Sequence, residues 1–285
     1  YKFSGNSLNY FLTNTTNEKN NFGFKNNILS TGIGTSFEQY KSVFLSPRII
    51  FSYDAKQLDD TVNYIINLSK KYSGICLFLP SMTNNDYLKI KEGVGQYPII
   101  SLLPSKNPKI DTVCFDSYRG GYMLAKHFEE QGYKKFGFIS GPSNRADALF
   151  RKNGFLNHIN ESDDLELAWS FEGDFSSALG KAAFADYKNT GLKDIAIFGG
   201  NDYSCFGFMK AAIESGYKIP NDFIIAGYDN LSFCETFTPE LTSIATDFHA
   251  LANKSIRIIE NMIADNSDSY GNISIPGDDS KPDKE

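Results

Sequence analysis

From residue 45 onward the chain repeats one unit: a short β-branched or aromatic run, a turn, about a dozen residues at helical spacing, and a glycine. A chain punctuated in that way is committed to parallel strands joined by crossover helices. Arg48–Tyr53 reads as a strand, and Leu58, Val62, Ile65, Ile66 and Leu68 follow on one helix face. Gly74 opens the buried run Ile75–Leu79, and Tyr97–Leu103 and Thr112–Phe115 are further strands. Asp116 or Ser117 caps a helix with Tyr118, Tyr122, Ala125 and Phe128 on one face, Gly132 stops it, and Lys135–Ser140 is the next strand. The unit then restarts, with helix Arg145–Asn160, strand Leu165–Phe171, helix Ser176–Lys188 and strand Asp194–Phe198. Asp202 is expected to cap a helix with Phe206, Met209 and Ile213 inward, and Phe223–Gly227 to be the last parallel strand. Two successive sets of such units imply an α/β fold of two Rossmann-like lobes, with the ligand crevice at the carboxyl ends of the strands.

Composition narrows the function. Of 285 residues 41% are hydrophobic, enough for two cores, and 28 Lys and Arg against 34 Asp and Glu leave a net charge of −6. That balance gives no general cationic field, so this stretch alone is not expected to hold DNA. No apolar run approaches the ~20 residues that cross a membrane. Tyr1–Asn6 has neither the charged nor the apolar region of an export signal, so the expected location is cytoplasmic. Cys76, Cys114, Cys205 and Cys234 stand apart among apolar neighbours and read as reduced core thiols. His127, His158 and His249 are equally scattered, so neither a metal site nor a nucleophile–base pair is expected. The chain has no G-x-G-x-x-G after a strand and no phosphate-loop lysine motif, so no cofactor and no enzymatic activity are expected.

Three segments carry a resemblance. The first is Phe115-Asp116-Ser117-Tyr118-Arg119-Gly120-Gly121-Tyr122, followed by the run from Gly132 to Pro142 and by Arg151-Lys152-Asn153-Gly154-Phe155. The second is Gly173-Asp174-Phe175 with Gly200-Asn201-Asp202 and Gly207. The third is Gly227-Tyr228-Asp229-Asn230, then Thr238-Pro239-Glu240-Leu241-Thr242-Ser243-Ile244 and Asp247-Phe248. In order and spacing these resemble the effector-binding core of the lactose-repressor/galactose-repressor family of bacterial transcription regulators across roughly residues 48–275.

The resemblance implies two periplasmic-binding-protein-like lobes (type I) joined by three crossovers near Ser140–Gly141, Thr246–Asp247 and Asp268–Ile273. Residues 1–20 would be a hinge remnant, 21–140 with 247–268 the N-terminal lobe, 141–246 with 269–277 the C-terminal lobe, and 278–285 a frayed tail. Tyr1–Leu8 and Leu12 resemble the stretch that carries the hinge helix after a helix-turn-helix headpiece, and Phe22-Gly23-Phe24 would be the first core strand. The expectation is a regulator core without its DNA-reading head. Ser30–Ser36 departs from the family and reads as a loop opening a helix at Phe37–Leu45, where a helix N-terminus could hold an anion or simply form a tight turn.

By resemblance the ligand-binding residues are Asp116, Arg145, Arg151, Phe175, Asn201, Asp229 and Phe248. Asp116 and Asp229 would accept from ligand hydroxyls, Arg151 and Arg145 would present planar forks, and Phe175 would stack on the ligand. Asn201 would serve the ligand while Asp202 capped the helix, and Phe248 would line the site or the hinge. The implied partners are a small-molecule effector (sugar, sugar phosphate or nucleobase-like), a second copy of the chain in a homodimer, and operator DNA through the missing headpiece, with no membrane. A sugar or sugar derivative is the expected effector class. The alternative in the same fold is a periplasmic-type sugar-binding protein of a transporter.

Overall fold

The computed structural model describes residues 58–70, 72–80 and 82–265, together with the backbone of four strands outside those ranges. In chain order the elements are β1 (Asn6–Thr13), β2 (Ile28–Thr35), β3 (Ile50–Phe51), α1 (Leu58–Ser69), β4 (Ile75–Leu77), α2 (Asn84–Val94), β5 (Ile99–Ser101) and β6 (Asp111–Phe115). They continue with α3 (Ser117–Glu130), β7 (Lys135–Ile139), α4 (Ala146–Ile159), β8 (Glu166–Phe171), α5 (Ser177–Thr190), β9 (Ile195–Gly199) and α6 (Asp202–Glu214). Last come β10 (Ile224–Asp229), β11 (Thr242–Ala245), α7 (Phe248–Asp265) and β12 (Ile273–Ile275). The α/β fold with parallel sheets is the one the sequence pattern predicts. Two units result, the first running to Cys114 and resuming over Phe248–Ile275, the second covering Phe115–Asp247.

In the first unit a four-stranded sheet runs in the order β12-β6-β5-β4, with β4–β5 and β5–β6 parallel. Its core gathers Val62 and Ile65 of α1, Tyr87 and Ile90 of α2, and Leu77, Ile99 and Ile110. Helix α2 was not legible in the sequence pattern. It starts at a capping box, in which the Thr83 hydroxyl accepts from the Asp86 N–H and the Asp86 carboxylate accepts from the Thr83 N–H.

A separate sheet pairs β1, β2 and β3 antiparallel, in register from Asn6↔Thr35 to Thr13↔Ile28. Asn6–Thr13 is therefore a strand, where the resemblance implied a hinge helix. Tyr10, Phe11 and Thr13 carry the aromatic and β-branched character that favours this conformation. Ser30–Thr35 likewise belongs to β2 rather than to a loop, so the anion-holding reading of that segment loses its basis. The expected strand at Phe22–Phe24, the helix at Phe37–Leu45, residues 268–272 and the tail 278–285 lie outside the described residues.

The second unit is a five-stranded parallel sheet in the order β11-β10-β9-β7-β8. Its inner strands bury both faces, so period-two alternation sorts their side chains into two cores. Phe136, Phe138, Ala196 and Phe198 pack under α3 and α4 with Leu124, Phe128 and Phe155. Ile139, Ile195 and Ile197 pack under α5 and α6 with Tyr187 and Phe208. Each helix pair crosses at a reciprocal glycine contact. A Cβ at Gly154 would lie 1.9 Å from the Tyr118 carbonyl oxygen and one at Gly121 2.0 Å from that of Arg151, so only glycine lets α3 and α4 approach this closely.

Three sequence expectations are corrected here. The resemblance places 21–140 in the first lobe, but β7 hydrogen-bonds to β8 on one side and β9 on the other, and α3 packs on the same sheet. The boundary therefore falls at Cys114/Phe115 rather than at 140. Phe223–Gly227 is not the last parallel strand, because β11 follows and pairs parallel with β10. Ile213 does not face inward but is 41% exposed.

Candidate functional site

The carboxyl ends of β7, β8, β9 and β10 converge at one edge of the second sheet, and the segments leaving them carry most of the expected site residues. Arg151, on the second turn of α4, is the hub. Its Nη1 donates to the Gly200 carbonyl oxygen at 2.7 Å and its Nη2 to Asp229 Oδ1 at 3.0 Å. The guanidinium carbon lies 3.7 Å from the Tyr228 ring centroid and 5.3 Å from that of Phe175. A guanidinium is weakly hydrated and planar, which is what allows it to sit between two rings with only 8% of the residue exposed. Gly120 makes room for the ring beneath it, since a Cβ there would lie 2.5 Å from Tyr228. One nitrogen of Arg151 is unused: Nε is buried without a hydrogen-bond partner among the described residues.

Arg145 stands at the N-cap of α4 but does not cap it. Its Nε donates to Asp147 Oδ1 at 3.0 Å and its Nη2 to Asp147 Oδ2, and its guanidinium carbon lies 4.9 Å from the Phe175 centroid. Phe175 thus has two guanidinium groups on it. Its backbone is left-handed, φ 71°, a conformation costly for a residue with a Cβ and typical of functional sites. Two neighbours fix it: Asn201 Nδ2 donates to the Phe175 carbonyl oxygen at 3.0 Å, and the ring lies where a Cβ on Gly141 would be, 2.2 Å away.

The electrostatics follow from burial and pairing. Burial pushes the Asp229 carboxyl above its usual range, with the charge of Arg151 opposing it. Asp147 is also penalised by burial, yet the hydrogen bond and charge of Arg145, then the charge of Arg151, outweigh that and hold it below its usual value. Burial pushes the Tyr228 phenol up to about 12, so the ring under Arg151 stays neutral. Two guanidinium and two carboxylate groups leave the cluster with no net charge.

Five of the seven expected residues therefore come together: Arg145, Arg151, Phe175, Asn201 and Asp229. Asp116 is half-buried and caps α3, its carboxylate accepting from the Arg119 N–H at 2.9 Å. Phe248 stands in the other unit, at the start of α7, and is 38% exposed. The cap of α6 is not the expected Asp202. Asn201 is the cap, its Oδ1 accepting from the Ser204 N–H at 2.9 Å, while Asp202 is fully buried. Both ends of the Asn201 amide are thus engaged within the protein. Tyr228 and Asp147 were missed as parts of the site. Tyr228 lies inside a quoted motif, but only its place beneath Arg151 reveals its use.

Among the described residues no group of three or more His, Cys, Asp or Glu side chains is arranged to hold a metal, and no helix is long and apolar enough to cross a membrane.

Comparison with known proteins gives a consistent result. Residues 125–277 match the family model described as periplasmic binding protein-like domain. An HTH-type transcriptional repressor PurR of Mannheimia succiniciproducens is 29% identical over 208 residues, covering 72% of this chain and 62% of that protein. The chain thus spans about three-fifths of the length of that curated relative. Among solved structures, the lac repressor dimer bound to operator and the anti-inducer ONPF superposes with a TM-score of 0.70 at 23% identity, covering 77% of this chain and 76% of that one. A LacI family transcriptional regulator from Enterococcus faecium with bound ribose gives 0.65 at 23%, covering 76% and 81%. At that identity the two structures show the fold.

Proposed function

Because the chain belongs to the periplasmic binding protein-like domain family, as an effector-binding core of the lactose-repressor/galactose-repressor type, we propose that the carboxyl edge of its second unit binds a neutral small effector carrying a flat polar ring. The observation that carries this reading is Arg151, buried against Tyr228 and Phe175 with an unused Nε–H. The cluster's charges already cancel, so an anionic ligand would unbalance it. A guanidinium fork matches a carbonyl oxygen beside a ring nitrogen, and a carboxylate such as that of Asp229 accepts from a ring N–H. Those groups on a ring able to stack on Phe175 describe a nucleobase-type lactam. Sugars, the class bound in the ribose-containing neighbour, are the contrasting case, since paired hydroxyls can meet the same forks.

The test is a thermal-shift series read by the fluorescence of Trp169, the only tryptophan of the chain. Hypoxanthine and guanine at 100 times their Kd are expected to add about 2.7 kcal/mol of stability, with ribose, cellobiose and glucose 6-phosphate inert. Stabilisation by the sugars alone would overturn the ligand class, and stabilisation by the phosphate ester would overturn the charge argument.

In this reading effector binding shifts the balance between two arrangements of the core, and a headpiece lying outside residues 1–285 carries that shift to operator DNA in the cytoplasm. The curated relative compared above is named a transcriptional repressor and not an enzyme. Such coupling uses a homodimer, and the second unit offers a surface for one. Tyr203 and Phe206 of α6 meet Phe233 and Phe237, with ring centroids 5.3 Å (Tyr203–Phe233), 5.6 Å (Phe206–Phe233) and 5.1 Å (Phe206–Phe237) apart. Tyr203 is 51% exposed, and exposed Ile213 extends the same helix face. Sedimentation is expected to give a dimer for the parent and a monomer for Phe237→Asp. A monomeric parent, or a dimeric variant, would exclude this surface as the seam.

A further inference from the structure

The turn that presents Asp229 places two consecutive non-glycine residues in the left-handed region, Asp229 at φ 107° and Asn230 at φ 50°. Side chains with a Cβ resist that conformation, so the surrounding structure has to impose it. Asp202 supplies the anchor. Its Oδ2 accepts from the Leu231 N–H at 2.8 Å and its Oδ1 from the Ser243 hydroxyl at 2.6 Å. The Ser243 oxygen in turn accepts from the Asn230 N–H at 3.0 Å. The Thr246 hydroxyl donates to the Asp229 carbonyl oxygen at 3.0 Å. Asp202 presses on β10 so closely that a Cβ at Gly227 would lie 2.2 Å from its Oδ1.

Among the described residues, no cation is one of the main groups that act on Asp202. They are Ser243 of β11, the Leu231 N–H, Cys234 and the carboxylate of Asp229, while the Cys205 thiol on its own helix feels its charge. Burial accordingly pushes its carboxyl up to about 6. A fully buried acid without a counter-ion is unfavourable for folding, and here all of its identified hydrogen-bond donors belong to the segment that follows β10 and to β11.

We propose that Asp202 is the positioning residue of the effector site, fixing the backbone of residues 229–231 through Leu231 and Ser243 and thereby holding the Asp229 carboxylate against Arg151. This rests on the reading of Asp229 as an effector ligand, but its test does not require the effector.

The experiment is a carboxyl-carbon NMR titration of Asp229 in the full chain, with amide hydrogen exchange at Asn230 and Leu231, for the parent, Asp202→Asn and Ser243→Ala. Both variants are expected to move the Asp229 titration down toward the ordinary aspartate value of about 3.9, because a relaxed turn releases the carboxylate into water. Exchange at Asn230 and Leu231 is expected to rise about tenfold or more. Ser243→Ala keeps the Asp202 charge, so a purely Coulombic link would move Asp229 in Asp202→Asn alone, and that result overturns the proposal. Should Asp202→Asn fail to fold, Ser243→Ala decides by itself. Hypoxanthine binding to the parent with Asp229 unmoved in Ser243→Ala sinks this inference and leaves the effector reading standing. Absence of hypoxanthine binding with Asp229 moved does the reverse.

Discussion

Asp229→Ala is expected to lower the unfolding free energy read by Trp169 by about 3 kcal/mol. The variant leaves the Arg151 guanidinium, 9% exposed at its side chain, buried without its hydrogen-bonded carboxylate. The cost is that of a buried charge that has lost its direct partner and not the net worth of the pair. The double variant Arg151→Met/Asp229→Leu should therefore recover most of the loss, since well-packed apolar residues replace buried ion pairs at little net change. Neither variant is expected to respond to effector. An Asp229→Ala protein within about 1 kcal/mol of the parent would show that water already reaches Arg151 and screens it.

Phe155→Ala should cost more, about 3 to 5 kcal/mol. The ring is fully buried and meets four others, with centroids 6.4 Å from Phe128, 5.9 Å from Phe136, 5.6 Å from Phe138 and 5.2 Å from Phe198. These neighbours lie on α3, β7 and β9, so the space left by the lost ring cannot close without moving the sheet or a helix against it. Chemical denaturation followed at Trp169 measures the effect. Because Phe155 is one turn along α4 from Arg151, effector affinity should fall as well, and unchanged affinity would show that the site tolerates displacement of that helix.

The strand–helix rhythm after residue 45 was legible because both faces of the inner strands are covered, which leaves apolar runs such as Ile195–Phe198 that glycines and caps punctuate sharply. Helix α2 escaped because its apolar stripe is short and its start depends on a reciprocal Thr83–Asp86 pair rather than on periodicity. The lobe boundary escaped for a different reason. Local pattern shows that β7 is a strand but not which sheet it joins, and only its pairing with β8 and β9 settles that.

The same distinction holds at the site. Arg151 and Asp229 stand out as polar residues beside strand ends, whereas the cap of α6 falls on Asn201 rather than on Asp202. Either residue type can cap a helix, and the choice is made by Ser243 and Leu231, which arrive from 41 and 29 residues further along the chain. Tyr228 was hidden by its chemistry: a tyrosine at a strand end reads as core until a guanidinium is found 3.7 Å above its ring.

Docking of an effector on the Arg151–Phe175–Asp229 cluster can be followed at the side-chain Nε–H resonance of Arg151 during a titration with hypoxanthine. That hydrogen has no acceptor among the described residues, so bound ligand should shift it downfield, slow its exchange with water, and do so at the occupancy that gives the thermal stabilisation. Saturation of the protein with the Arg151 resonance unmoved, and the largest changes elsewhere in the chain, would show that the effector docks at another site.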